Sequence, residues 1–176
     1  MATIENFINT VINNDIKEMV DTPRLRYLSF GVIASMIEFL GACFDKKDFF
    51  AQRCSGHRFR RAIDELDSFR SYRKYNKKCD PYDLYTNLRC GMAHIGKPDK
   101  EIDFTERSDG DGRDKHLRIC TLDDSTTRLI LVCEDLFCDL NNASIELIAN
   151  MKSLGWAGKP HDEGFMNPNL KILGCS

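Results

Sequence analysis

One segment of the chain, residues 28–44, is apolar almost without interruption, and it constrains the fold more than any other part of the sequence. A helix that is apolar nearly all round must be covered by neighbours on several sides, whereas a surface helix has a single apolar stripe. The segment is shorter than the ~20 residues of a membrane span, and it contains a central acid, Glu38. We therefore expect a helix over about residues 23–43 at the centre of a soluble helical bundle, with no membrane association.

Apolar residues at three- and four-residue spacing predict further helices around this one. They are expected at about residues 4–19, 58–75, from residue 80 onwards, and 142–153. Pro23 ends the first helix, because proline disfavours helix in the residue before it. Asp80 suits the N-cap of the fourth helix, and Pro81 suits its first turn.

The region before the last helix has a different pattern. Residues 99–115 are charged and glycine-rich, which predicts a mobile loop. Residues 116–122 and 127–133 are typical of two strands joined by a short polar turn. The expected fold class is mainly α, an antiparallel bundle of four to five helices with a two-stranded β-hairpin before the last helix.

Composition sets the domain count and limits the choice of partner. A chain of 176 residues with 42% hydrophobic content favours a single domain, here residues 1–155 with the hairpin inserted at about 116–133. The segment 156–176 is expected to be a loosely packed tail. The net charge is -2, so any binding of nucleic acid must be local. No signal peptide is recognisable at the N-terminus, so we expect a cytoplasmic protein whose eight cysteines are reduced.

The segment 84–94, Leu-Tyr-Thr-Asn-Leu-Arg-Cys-Gly-Met-Ala-His, carries the clearest chemical signal. It places Arg89 and His94 five residues apart, near the end of the fourth predicted helix. Arginine offers a permanently charged, forked donor, and histidine exchanges protons near neutral pH. We expect the two side chains to point in broadly the same direction, where they suit phosphodiester chemistry.

This segment resembles the Arg-x4-6-His signature of HEPN domains, which are small helical modules that include many metal-independent ribonucleases. The resemblance implies a homodimer in which two motifs form a composite site without a metal or cofactor. It also implies that His94 acts as general acid or base on the ribose 2′-hydroxyl or the leaving 5′-oxygen, while Arg89 binds the phosphate. Enzymes of this family are used in toxin and antiviral systems.

Glu38 belongs to the same hypothesis, because a carboxylate inside an apolar helix is costly unless it is paired. We expect Arg89 to be its partner and to be oriented by it. Members of the HEPN family often have an acidic residue on an earlier helix near the motif, which Glu38 matches.

The same residues also allow an interpretation without chemistry. Glu38 and Arg89 can form an ion pair that only fixes helix register, and His94 can cap the carbonyls at a helix end. The protein would then be a non-catalytic interaction module that binds a protein partner or a second copy. Cys90 favours this alternative, since the commonest family pattern has a polar residue directly after the arginine.

Basic residues are concentrated between positions 53 and 78, with aromatic residues among them. Such a stripe can contact an RNA backbone, although a charge-rich helix is more often only a solvated face. The residues chosen for RNA contact are Arg58, Arg61, Arg73 and Lys74.

A zinc site is a further alternative. Cys54 and His57, together with Cys90 and His94, have the composition of a Cys2His2 site. The second pair has the four-residue spacing that shares one face of a helix.

Overall fold

The computed structural model describes residues 4–109, 115–122 and 125–154. The protein is mainly helical, as predicted, with one small sheet. Helix α1 covers residues 4–21, α2 is Arg26–Ala42, α3 is Ser55–Glu65, and α5 is Cys133–Leu154. Helix α4 consists of a π-helical turn, Tyr85–Cys90, followed directly by an α-helical turn, Gly91–His94. The predicted tail, 156–176, lies outside the described residues.

The middle of α1 is π-helical, over Ile8–Ile16. Its buried positions recur every four residues, at Ile4, Ile8, Ile12, Ile16 and Val20. This spacing is longer than the α-helical repeat of about 3.6 residues. The wider π-helical turn keeps such a row on one face, directed at the core.

Helix α2 lies at the centre of the protein, as its sequence predicts, and it packs against α1, α3, α4 and α5. A short 3-10 turn, Pro23–Leu25, precedes it. The stretch Pro23–Ala42 also has the length and composition of a membrane span, but its packing against four helices accounts for its apolar character. At Gly41 a β-carbon would lie 1.7 Å from the carbonyl oxygen of Arg58, so only glycine permits this close crossing of α2 and α3.

The helix predicted over residues 58–75 is divided in two. Helix α3 ends at Glu65, Leu66 is extended and fully buried, and a 3-10 helix, Asp67–Tyr75, follows. The carboxylate of Glu146 on α5 accepts the backbone N–H groups of Asp67 and Ser68 at 2.8 and 2.9 Å. These contacts supply acceptors for the start of the second segment and stabilise the break.

The fourth helix also begins later than predicted. The Asp80 carboxylate accepts the backbone N–H of Tyr82 at 2.9 Å, which forms a turn ahead of the helix. Regular helical structure starts at Leu84.

Three strands form a mixed sheet in the order β1-β3-β2. Strand β2, Arg118–Thr121, pairs antiparallel with β3, Thr127–Val132. Strand β1, Ile102–Thr105, pairs parallel with β3 and lies in the segment predicted as a mobile loop. The loop prediction was wrong there, because residues 102–105 alternate Ile and Phe with polar residues and add an edge to β3. Helix α5 follows β3 directly and starts at Cys133, earlier than predicted.

Candidate functional site at the Glu38–Arg89 pair

The end of α4 is held against the chain segment that follows it. The backbone N–H of Asp99 donates to the carbonyl of Asn87 at 3.0 Å. A β-carbon at Gly91 would lie 2.6 Å from the carbonyl oxygen of Lys97, so this position requires glycine. Gly96 has a φ of 75°, a left-handed conformation that suits the residue after a helix end. These features fix where the Arg89–His94 segment stops and turns back.

The predicted pairing of Glu38 with Arg89 is present in the structure. The Arg89 Nε donates to Glu38 Oε2 at 2.6 Å, and Ser55 Oγ donates to Glu38 Oε1 at 2.6 Å. Both oxygens of the carboxylate are therefore engaged, one from α4 and one from the first residue of α3. The Arg89 and Glu38 side chains remain 19% and 18% exposed. Glu38 holds the guanidinium by its inner nitrogen and so fixes its direction.

The two terminal nitrogens of Arg89 have no acceptor among the described residues. Arg89 lines a cavity of about 320 Å³, which also includes Glu38 and Ser35. A guanidinium presents its terminal N–H groups as a planar fork, which matches two oxygens of a phosphate or carboxylate. The arrangement is an oriented cation with unused donors at an opening to solvent.

The same cavity has an aromatic wall formed by Phe39, Phe49 and Phe50. The rings of Phe39 and Phe49 are stacked, with centroids 5.3 Å apart and planes 16° from parallel. Phe50 is 84% exposed, which is the largest exposure of any large apolar residue described. Phe50 and Ser55 are not among the site residues predicted from the sequence. Two adjacent phenylalanines in a polar segment, at positions 49 and 50, nevertheless indicate an exposed aromatic surface.

His94 is exposed at the end of α4 and has no hydrogen-bond partner among the described residues. Its side chain does not cap the helix carbonyls among the described residues, although its place in the last turn still suits the negative end of the helix dipole. Its imidazole lines a second cavity, of about 270 Å³, together with Thr86, Cys90 and Lys97.

Arg89 and His94 line different cavities, so none of the cavities formed by the described residues brings the two side chains together. Arg89 lies in the π-helical turn of α4, whereas His94 is the last residue of the α-helical turn that follows. A site that uses both groups on one phosphate needs a second copy of the chain or a ligand that spans the helix.

Cys90 lines the second cavity and interacts with the side chain of Tyr85 on the same helix. Burial, together with this interaction, raises the pKa of Tyr85.

The structure gives Arg58 a structural position rather than the RNA-binding one predicted for it. Its side chain is 3% exposed, and it donates to both Asp45 carboxylate oxygens, at 2.7 and 3.2 Å. Its remaining donors reach the carbonyls of Phe49 and Asp48, at 2.8 and 2.7 Å. All three nitrogens of this guanidinium have acceptors inside the protein, and an arginine enclosed in this way is not accessible to a phosphate.

The other three predicted RNA contacts lie on the surface in different roles. Arg73 donates to the carbonyl of Ile63 at 3.2 Å and to the carboxylate of Asp67 at 3.1 Å, near the end of α3. The guanidinium of Arg61 lies 5.7 Å from the centre of the Phe44 ring. Lys74 is exposed and lies over the Tyr75 ring. Of the four residues, Arg61 and Lys74 stay most available to a polyanion.

The zinc alternative receives no support from the described residues, among which no three His, Cys, Asp or Glu side chains are close enough to hold a metal. Cys54 is buried and accepts a hydrogen bond from Lys47 Nζ at 3.5 Å, while His57 is exposed. Cys90 contacts Tyr85 instead of a second ligand pair. Cys43 and Cys133 are buried, Cys120 is partly buried, and Cys79 and Cys138 are exposed.

No protein-family model, curated protein or solved structure significantly matches this chain.

Proposed function

We propose that the protein is a HEPN-like, metal-independent endoribonuclease that acts as a homodimer. In this proposal Arg89 binds the scissile phosphate, Glu38 is a positioning residue for Arg89, and His94 is the general acid or base. The proposal includes the finer fold assignment, an antiparallel helical bundle of the HEPN type in which α4 carries the motif, and a cytoplasmic location.

One observation supports the proposal above all others. Arg89 is held through Nε by Glu38 and lines an open cavity, and its terminal nitrogens have no acceptor among the described residues. An ion pair that served only helix register would gain from using those donors as well. A preorganised guanidinium is suited to the negative charge that develops on phosphate oxygens in a transition state.

The reaction needs only groups that the chain supplies. The ribose 2′-oxygen attacks the adjacent phosphorus, and the bond from phosphorus to the 5′-oxygen breaks. One neutral His94 takes the 2′-hydroxyl proton, and a protonated His94 from a second copy delivers a proton to the leaving 5′-oxygen. The products are a 2′,3′-cyclic phosphate and a 5′-hydroxyl, so no water, metal or cofactor is consumed.

A second copy is also favoured by the surface beside His94. Leu28 on α2 is 56% exposed, and Ile95, directly after α4, is 70% exposed. The two elements meet nearby, where Tyr27 Oη donates to the carbonyl of Gly96 at 3.0 Å. Exposed apolar residues on adjoining elements are typical of interaction surfaces. Burying them between two copies would bring the two His94 side chains towards one axis.

The test is RNA cleavage by purified full-length protein in EDTA, comparing wild type with His94→Ala and His57→Ala. We expect His94→Ala to lower the rate by about 100-fold or more, as loss of a general acid or base does. His57→Ala is the matched control, because His57 is exposed on α3 and lines neither cavity. The cleaved ends should carry a 2′,3′-cyclic phosphate and a 5′-hydroxyl. Equal rates for wild type and His94→Ala would overturn the proposal.

The second candidate function is a non-catalytic interaction module of the same fold. The exposed Leu28 and Ile95 favour it, as does the placement of Arg89 and His94 in different cavities of one chain. It predicts that purified protein forms a dimer or binds a protein partner, while RNA remains intact in every variant. Replacing Leu28 and Ile95 by lysine should then abolish self-association, as measured by sedimentation, without unfolding the chain.

A further inference from the structure

We propose that the aromatic wall formed by Phe39, Phe49 and Phe50 is a nucleobase-binding subsite that stacks an unpaired base of an RNA strand whose phosphate lies on Arg89. This inference rests on the proposed function and deepens it by naming the substrate class, which is single-stranded RNA. The residue that makes the stacking contact is Phe50.

The first step is that the loop carrying Phe50 is firmly held. The buried Arg58 binds three groups of this loop, namely the Asp45 carboxylate and the carbonyls of Asp48 and Phe49. The Asp48 carboxylate accepts the backbone N–H of Phe50 at 2.8 Å, closing a local turn. Every backbone neighbour of Phe50 is therefore fixed from inside the protein, although the residue itself is 84% exposed.

A phenylalanine held this way is displayed to solvent by the fold, and it keeps its ring outside the core. Phe49, the residue before it, turns inward and stacks on Phe39. The Phe49 ring is therefore packed against the protein and the Phe50 ring is exposed to solvent, and both line the same cavity. Aromatic side chains on a rigid element are the usual platform for unstacked bases.

The second step is that the cavity combines this wall with polar groups on its other side. Arg89 supplies unused N–H donors, and the Ser35 hydroxyl lies in the same lining. The volume of about 320 Å³ is at the lower end of the ~300–1,000 Å³ found for small-molecule pockets, which suits one base with its phosphate. An apolar side chain of a protein partner would fill the wall but leave the guanidinium desolvated without an acceptor.

The third step excludes a duplex as the preferred ligand. Paired bases are stacked on each other, and their faces are not available to a side chain. Phe50 can stack only on a base that has left a helix or never entered one. The subsite therefore selects loops, bulges and unpaired ends.

The experiment measures binding of a fluorescein-labelled single-stranded RNA of about 12 nucleotides, within the usual site size for single-strand binding, by anisotropy in EDTA. The parent protein is full-length His94→Ala, so that the probe stays intact. We expect Phe50→Ala to weaken binding about tenfold, as loss of one base–aromatic stack does. Phe50→Trp should retain the affinity, and its tryptophan fluorescence should be quenched by the RNA. Ile145→Ala is the control, because Ile145 is exposed on α5 and away from the cavity.

Three results would overturn the inference. In the first, Phe50→Ala binds RNA within twofold of the parent protein. In the second, a duplex of the same sequence binds as tightly as the single strand. In the third, Phe50→Ala changes the oligomeric state, which would make this face an interface between copies. Its failure can be separated from that of the ribonuclease proposal. Cleavage that depends on His94 but not on Phe50 retains the enzyme and removes the subsite. RNA binding that depends on Phe50, without any cleavage by the wild-type protein, retains the subsite and removes the enzyme.

Discussion

Two arginine–carboxylate pairs in this protein have the same chemistry and opposite settings. Arg58 is enclosed between α3 and the loop at residues 45–49, and its donors reach a carboxylate and two backbone carbonyls. Arg89 is bound by one nitrogen to Glu38 and leaves the others in an open cavity. The difference teaches that the count of satisfied donors separates an arginine that holds the fold from one that is available to a ligand.

Two histidines show the same contrast. His94 ends α4, and His116 lies just before β2. His94 is exposed and without a partner among the described residues. His116 is largely buried; its Nδ1 accepts the backbone N–H of Val132 at 3.0 Å, and its Nε2 lies 2.8 Å from the hydroxyl of Tyr72. The Tyr72 hydroxyl donates onward to the carboxylate of Asp139 at 2.8 Å. This chain joins the sheet, the 3-10 helix and α5.

The largest effect is expected from removing the closed arginine. Arg58→Ala should lower the free energy of unfolding by about 3–5 kcal/mol, the usual cost of leaving one member of a buried ion pair alone. The buried Asp45 carboxylate would lose its cation, and two loop carbonyls would lose the N–H groups of the guanidinium. The measurement is urea unfolding followed by circular dichroism.

Arg61→Ala serves as the matched control for Arg58→Ala. Arg61 is on the same helix, and its i,i+4 contact with Glu65, at 3.7 Å, is solvent-exposed. Such a pair contributes only about 0.3–0.5 kcal/mol. If the two variants lost similar stability, Arg58 would not be the structural residue that its contacts indicate.

The next effect concerns pH and the buried histidine. Burial lowers the pKa of His116 from 6.5 to about 4; the negative charge of Asp135 opposes this shift, and the positive charge of Arg107 adds to it. As the pH falls from 6.5 to 4, the unfolded chain therefore gains a proton that the folded chain does not, and stability decreases. The shift corresponds to about 3 kcal/mol. Burial also raises the pKa of Asp139, which offsets part of this loss, since a protonated carboxyl is then favoured in the folded state.

Comparing variants isolates the histidine from the other acids. The free energy of unfolding is measured between pH 7 and pH 4 for wild type, His116→Gln and His94→Ala. The decline with falling pH should be shallower in His116→Gln than in wild type, and unchanged in His94→Ala. A steep decline that persists in His116→Gln would assign the acid sensitivity to other groups.

The sequence predicts features that depend on the apolar pattern of one helix or on the free-energy cost of burying an unpaired charge. The central position of α2 follows from its apolar surface, because no other arrangement covers all its sides. The pairing of Glu38 with Arg89 follows from the cost of a lone carboxylate in such a helix. Neither inference needs knowledge of distant contacts, and both are confirmed.

The features that the sequence does not reveal depend on partners far away in the chain. The break at Leu66 is stabilised by Glu146, 79 residues beyond Asp67. Strand β1 is a strand because β3 lies beside it. Arg58 and Arg61 are indistinguishable in a basic stretch, and only the loop at residues 45–49 decides which of them is enclosed. The direction of His94 relative to Arg89 depends on where the helix ends.

Of the two arginine–carboxylate pairs, the open one should contribute less to stability, whereas its effect on function should be the larger. Arg89→Ala should cost about 1 kcal/mol or less, since partly exposed ion pairs are screened by solvent. RNA cleavage and RNA binding should nevertheless both be lost, because the phosphate ligand is gone. Glu38→Gln should keep Arg89 and the hydrogen bond from Ser55, and it should reduce the turnover number more than the affinity for RNA, since Arg89 is then present but less firmly oriented. A loss of stability in Arg89→Ala as large as that in Arg58→Ala would make both pairs structural, and the contrast between an enclosed and an available arginine would not hold.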